Sequence, residues 1–136
     1  MSRAPRRATS GLLLAPLGPL TVEEAREGFA EQAAALADGG VDLIWIETMA
    51  DLAEVRAAVA GVRRVAPAMP IIVTMTFDTK GRTMMGVKPE QAAKELAGLG
   101  VAALGANCGN GPEEMLGVIG RMVEAGTTVP LVAKAN

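Results

Sequence analysis

The sequence is poor in the side chains that enzymes use most often for acid–base and metal chemistry. Its 136 residues include no histidine and a single cysteine, Cys108. A Cys–His nucleophilic pair and an internal disulfide bond are therefore both excluded within the chain. The thiol can be a buried side chain, a metal ligand or a nucleophile. A metal site made from this chain alone would need carboxylates, and one thiolate with carboxylates is an unusual zinc ligand set.

Aromatic residues and long apolar runs are also scarce. The chain has two phenylalanines and one tryptophan, and its net charge of −2 comes from interspersed acidic and basic residues. Such a surface lacks both stacking partners and a positive field, so we expect no nucleic-acid partner. The strongest candidates for a membrane span, residues 41–46 and 71–75, are far shorter than the roughly 20 residues that a bilayer span requires. We expect a soluble, cytoplasmic protein with no membrane partner.

The opening of the chain differs from the rest. Arg3, Arg6 and Arg7 lie in a short segment without acidic residues. Arginine-rich, acid-poor starts can be targeting segments, but the prolines at 5 and 16 prevent the amphipathic helix that such segments form. We expect residues 1–10 to be disordered.

From about residue 20, helical and strand patterns alternate regularly. Thr21 and Glu24 have the spacing of a capping box, and the helix that they begin is expected to end at the glycines of 39–40. Three further helices are expected, beginning at Asp51, at Glu90 and at Pro112. Short apolar runs rich in β-branched residues predict strands over 41–46, 71–76, 101–106 and 129–134.

This alternation predicts an α/β fold. Strands that alternate with helices of this length form right-handed βαβ crossovers and a parallel sheet. The strand ends at 47, 76, 108 and 136 are separated by 29, 32 and 28 residues. That is the pace of a (β/α)8 TIM barrel, which is typically about 250 residues long. We predict that residues 1–136 form about half of such a barrel, with four strands and four helices. An open doubly wound sheet remains an alternative at this point.

Polar residues follow the strands at the end where both folds bind ligands. They are Glu47-Thr48, then Thr74 with Thr76 and Asp78, then Asn107-Cys108, and finally Lys134 with Asn136. Ordinary loop polarity explains any one of them, but four such ends at one rim favour a binding site.

Two of these residues have sharper alternatives. Glu47 follows residues 41–46, which are apolar except for Asp42, and its carboxylate needs a cation or hydrogen bonds. It either caps the helix near Asp51 or binds the ammonium of an amino-acid substrate. Cys108 precedes glycines and the helix that begins at Pro112, so its thiolate is favoured by the helix dipole, yet cysteine is also commonly an inert buried residue.

Four segments together resemble the homocysteine S-methyltransferase family. They are residues 41–48 (VDLIWIET), 74–78 (TMTFD), 81–86 (GRTMMG) and 105–112 (GANCGNGP). The family comprises zinc-dependent barrels, including betaine–homocysteine methyltransferases and the homocysteine domain of cobalamin-dependent methionine synthase. The resemblance covers nearly everything from about residue 9 to the end.

The resemblance implies a specific chemistry. Members bind zinc through three cysteine thiolates, and zinc converts the homocysteine thiol to the thiolate that takes a methyl group and becomes methionine. Cys108 matches the first zinc cysteine, and Glu47 matches the carboxylate that receives the homocysteine ammonium. Thr76 and Asn107 are expected to bind substrate, and no residue is assigned a catalytic role. The methyl donor is betaine-like, a sulfonium compound or, in a full-length enzyme, a corrinoid.

The chain also departs from the family pattern. The other two zinc ligands of the family form an adjacent cysteine pair farther along, and the first barrel strands with their glycine-rich motif are missing here. We therefore expect a fragment of a zinc-dependent homocysteine S-methyltransferase that is inactive alone, with an incomplete zinc site. The alternative is a non-enzymatic half-barrel that self-associates through its open sheet edges.

Overall fold

A computed structural model of the chain describes residues 13–136. The predicted disorder of residues 1–10 and the three arginines at the start lie outside the described residues. Within them, no helix has the length and apolarity needed to cross a membrane. The helices are α1 (Val22–Asp38), α2 (Leu52–Val65), α3 (Pro89–Gly98) and α4 (Pro112–Glu124). The strands are β1 (Ile44–Met49), β2 (Ile71–Met75), β3 (Ala103–Cys108) and β4 (Leu131–Ala135).

The predicted helices and strands are all present, but β1 and β3, and to a smaller extent β4, lie later in the chain than predicted. β1 was expected over 41–46 and β3 over 101–106, whereas each begins and ends two or three residues later. The left-handed glycines Gly40 and Gly100 still complete the preceding turns, so the first apolar residues after them serve as connections. Glu47 and Cys108 consequently lie inside strands and not after them.

The sheet is parallel throughout, and its strand order is β1-β2-β3-β4. A doubly wound sheet reverses its order at a switch point, and this sheet has no reversal. The doubly wound alternative is therefore wrong for the described chain. The α/β prediction of four parallel strands alternating with four helices is confirmed.

The helices cover one face of this sheet and bury the apolar core against it. Ile46, Val73 and Leu104 are fully buried in that core. α1 and α2 approach closely at Gly61, where an added Cβ would lie 2.6 Å from the Arg26 carbonyl oxygen. α1 thus packs on α2, and α2 in turn contacts β1.

Candidate functional site

The site is organised by the side chain of Asn107, which is 1% exposed near the end of β3. Its Oδ1 accepts hydrogen bonds from the Thr48 backbone N–H at 2.9 Å and from the Thr74 hydroxyl at 2.7 Å. Its Nδ2 donates to the Thr48 hydroxyl at 2.8 Å and to the Cys108 Sγ at 3.2 Å. The amide thus uses two acceptor and two donor positions, and it joins β1, β2 and β3.

The same network extends to an indole ring and to a second threonine. Trp45 donates from Nε1 to the Thr74 hydroxyl at 3.0 Å. Thr76 donates from its hydroxyl to the Asn107 carbonyl oxygen at 3.1 Å. Both threonine hydroxyls are therefore oriented by neighbouring strands. Trp45 is held in one orientation by a buried partner.

Two residues of the site have left-handed backbones. Thr48 has φ 63° and Cys108 has φ 60°. Such conformations cost about 1–3 kcal/mol each in residues with a side chain, and they persist where surrounding contacts impose them. The β1–β2 register shifts between Ile46 and Met49, where Thr48 lies. Because Asn107 contacts both Thr48 and Cys108, one side chain supports both strained positions.

The close packing of β3 against β4 depends on a glycine. An ideal Cβ on Gly105 would lie 1.9 Å from the Val132 carbonyl oxygen. With no side chain there, β4 pairs in a register that sets Lys134 opposite Asn107. The glycine is a structural requirement of the strand that carries the cysteine.

Glu47 faces a cation that belongs to the chain itself. The Lys134 Nζ lies 3.6 Å from the Glu47 Oε2 and 5.5 Å from the centre of the Trp45 ring. The helix-cap interpretation of Glu47 is wrong, because Asp51 caps α2 and accepts the Ala53 N–H at 2.8 Å. The Glu47 side chain is 20% exposed. Its carboxylate therefore lies at the site and retains access to solvent.

Cys108 is half-buried at the end of β3. A small cleft beside it is lined by Phe77, Asn110, Met115 and other side chains of β3 and α4. Between residues 13 and 136, no three histidine, cysteine, aspartate or glutamate side chains group in a way that could hold a metal ion. Zinc sites use three or four protein ligands, so the donor set described here does not fit a zinc ion by itself.

The structure brings together all four residues that the sequence singled out. Asn107 contacts Cys108 directly, Thr76 bonds to the Asn107 backbone, and Glu47 adjoins Thr48, which Asn107 also contacts. Sequence reasoning did not single out Trp45 and underrated Thr74 and Lys134, which complete the arrangement. The role of Trp45 could have been predicted from one feature of the sequence. Side chains alternate between the two faces of a strand, so Trp45 lies on the same face as Glu47.

Comparison with known proteins shows the family of the chain that carries this site. The model of the family described as "Homocysteine S-methyltransferase" matches residues 4–136. The chain belongs to the homocysteine S-methyltransferase family. It is 35% identical over 109 residues to the methionine synthase of Mycobacterium leprae, a match that covers 77% of this chain and 9% of that protein. The methionine synthase of Mycobacterium tuberculosis matches with the same identity and coverage.

A solved structure agrees with this family membership. The apo form of the homocysteine methyltransferase MmuM from Escherichia coli superposes with a TM-score of 0.75 and 25% identity, covering 87% of this chain and 44% of that chain. A metallated form of MmuM matches equally well, with 40% of its chain covered. The chain therefore spans less than half of these enzymes and about a tenth of the methionine synthases. Its α/β fold resembles part of the methyltransferase structure.

Proposed function

We propose that this chain supplies the homocysteine-binding part of a zinc-dependent homocysteine S-methyltransferase. The observation that carries the proposal is the Asn107 amide, which joins the thiol of Cys108 to the strand of Glu47. A carboxylate and a thiol on one rim suit a substrate that has an ammonium at one end and a thiol at the other. Family membership supports the same substrate.

Each residue of the site has a role in this proposal. Glu47 binds the α-ammonium of homocysteine, and its solvent-accessible carboxylate supports that role. Cys108 is one metal ligand, next to which the substrate thiol lies. Thr76 and Asn107 support substrate binding through their contacts with neighbouring strands, so Asn107 is a positioning residue. Homocysteine and a methyl donor are the partners of the complete enzyme, in the cytoplasm, with a corrinoid among the candidate donors.

The proposal includes inactivity of the chain alone. When bound, zinc would supply the charge that favours the substrate thiolate. Residues 13–136 contribute one thiolate and no group of three possible ligands, which supports the expectation that the chain alone does not hold zinc. We expect no zinc-dependent conversion of homocysteine to methionine by the purified chain, whichever methyl donor is supplied. Measurable conversion would contradict this part of the proposal.

Titration calorimetry with reduced L-homocysteine tests the substrate-binding role. We expect weak binding to the wild-type chain, with a Kd of about a millimolar, and about tenfold weaker binding to Glu47→Gln, because a charge-assisted contact is lost. The matched control is Glu31→Gln, which removes an exposed carboxylate from α1 and should leave the Kd unchanged. Equal binding by wild type and Glu47→Gln would contradict the assignment of the ammonium site.

A second candidate function, self-association of a half-barrel, is favoured by the exposed side of β4 and α4. Ala133 and Ala135 on the edge strand are exposed, as are Leu116 and Val123 on α4. Open edges and apolar side chains of this kind pair readily with another copy. Sedimentation velocity should then show concentration-dependent dimers that are lost in the double variant Leu116→Lys/Val123→Lys. A monomer at all concentrations would exclude this candidate.

A further inference from the structure

The ion pair between Glu47 and Lys134 spans the full width of the sheet. Glu47 is on β1 and Lys134 is on β4, and three strand spacings in a flat sheet would separate them by about 14 Å. The Lys134 Nζ nevertheless lies 3.6 Å from the Glu47 Oε2. Some Cα atoms of β1 and β3 also lie within 8 Å of each other, closer than the roughly 9.5 Å of two strand spacings in a flat sheet. The sheet is therefore curved, with these two side chains on its concave face. An acidic and a basic group thus meet at the site where the proposed substrate binds.

The contact between the two charges is loose. A separation of 3.6 Å exceeds the 2.7–3.2 Å range of N–H···O hydrogen bonds, so the pair is an ionic contact that leaves the ammonium donors for another acceptor. The Lys134 side chain is 61% exposed, whereas that of Glu47 is 20% exposed. Because the lysine end of this pair is exposed to solvent, the ionic contact contributes little to stability. The lysine ammonium can consequently shift to admit a ligand at little cost.

The indole of Trp45 gives the lysine a defined position. The Lys134 Nζ lies 5.5 Å from the ring centre, within the range of a cation–π contact. The ring is fixed in turn, because its Nε1 donates to the Thr74 hydroxyl, which is itself bonded to Asn107. The lysine head is therefore held near the site by a rigid aromatic platform, and a long flexible stem allows local movement.

We propose that Lys134 binds the α-carboxylate of the amino-acid substrate, so that Glu47 and Lys134 together recognise its zwitterion. This inference rests on the proposed function, in which Glu47 binds the α-ammonium. An α-amino acid carries both charges on one carbon, at a spacing similar to that of the Glu47–Lys134 pair. Without ligand, the charges of Glu47 and Lys134 compensate each other. With the amino acid bound, Glu47 faces its ammonium and Lys134 faces its carboxylate. Lys134 is thus a specificity-determining residue.

Titration with three thiols distinguishes the contribution of the substrate ammonium to binding from that of the substrate carboxylate. The thiols are L-homocysteine, its decarboxylated analogue, which keeps the ammonium, and its deaminated analogue, which keeps the carboxylate. We expect the wild-type chain to prefer homocysteine over the decarboxylated analogue by about fivefold or more, since one charged contact is lost. In Lys134→Met the ratio of the Kd of the decarboxylated analogue to that of homocysteine should fall to about one. The preference for homocysteine over the deaminated analogue should remain. Lys134→Arg keeps the positive charge and should retain the wild-type preference.

The matched control is Lys94→Met, which removes an exposed lysine from α3 and should change none of the three affinities. Circular dichroism of each variant checks that the fold is retained. If Lys134 only competed with the substrate ammonium for Glu47, Lys134→Met would bind homocysteine and the decarboxylated analogue more tightly, and that result would overturn the inference.

The remaining outcomes distinguish this inference from the proposed function. A wild-type chain that discriminates against the deaminated analogue alone would retain the proposed ammonium site and overturn the role of Lys134. An unchanged preference for the carboxylate in Lys134→Met would do the same. A wild-type chain that binds none of the three thiols would overturn both proposals.

Discussion

Asn107 donates a hydrogen bond from its side-chain Nδ2 to the Sγ of Cys108, the next residue in the chain. The same amide accepts the backbone N–H of Thr48, which is 59 residues away. These two bonds connect the proposed metal ligand to the strand of the proposed ammonium site. The relative positions of the Cys108 thiol and of the strand that carries Glu47 consequently depend on one buried side chain.

Removal of the Asn107 amide should destabilise the chain strongly. Asn107→Ala leaves the buried Thr74 hydroxyl and the Thr48 N–H without their acceptor, and each unsatisfied group costs about 1–3 kcal/mol. We expect a loss of about 2–4 kcal/mol in the free energy of unfolding, measured in urea. Asn110→Ala is the matched control, because Asn110 is exposed and should cost less than about 1 kcal/mol. Similar losses in both variants would contradict the central position given to Asn107.

The close contact between β3 and β4 predicts that alanine substitutions at Gly105 and at Gly117 have opposite effects on stability. Gly105→Ala would place a Cβ 1.9 Å from the Val132 carbonyl oxygen, and the backbone of β4 would have to move. We expect a loss of about 4 kcal/mol or more, or failure to fold. Gly117→Ala, in the middle of α4, meets no atom within 4 Å and should stabilise the chain by about 0.5–1 kcal/mol. Thermal unfolding of the two variants gives the comparison, and a tolerated Gly105→Ala would contradict the strand packing.

The ion pair between α3 and α4 predicts a defined response to acid. Arg121 donates to the Glu90 carboxylate from Nε at 3.0 Å and from Nη2 at 3.1 Å, and this hydrogen bonding lowers the pKa of Glu90 below its ordinary value of 4.5. Because the folded pKa is lowered, the stabilisation is present above the unfolded pKa. It is lost as the pH falls through the folded pKa.

Unfolding in urea near neutral pH and at about pH 3 tests this linkage. Wild type should lose more stability between the two conditions than Glu90→Gln, which cannot titrate at that position. The substitution is made at Glu90 because Arg121 also donates to the Gly81 carbonyl oxygen. Glu31→Gln, on the exposed side of α1, is the control and should respond to acid like wild type. An equal acid response of wild type and Glu90→Gln would show that the pair does not contribute.

Local patterns in the sequence predicted the local structure well. The capping box of Thr21 and Glu24 forms as expected, because its bonds join residues three apart. Apolar runs predicted each strand but misplaced β1 and β3, since pairing with neighbours extends a strand into polar residues. The rim itself could be predicted, because the ends of parallel strands share one edge.

The contacts inside the site could not be predicted in the same way. The bonds of Asn107 to Thr48 and Thr74 depend on the register of three strands, and that register depends on a shift in β1. The Glu47–Lys134 contact depends on the curvature of the sheet. Neither register nor curvature is encoded in a short window of sequence, so these partners could only be found in the folded chain.

The zinc content of the purified chain after exhaustive dialysis tests the central claim most directly, namely that this chain contributes one thiolate ligand to a metal site that it cannot hold alone. We predict that neither wild type nor Cys108→Ser retains stoichiometric zinc, because three or four protein ligands are needed. Zinc that is retained stoichiometrically by wild type and lost in Cys108→Ser would contradict the claim. It would mean that a complete site assembles without further cysteines, between copies of the chain.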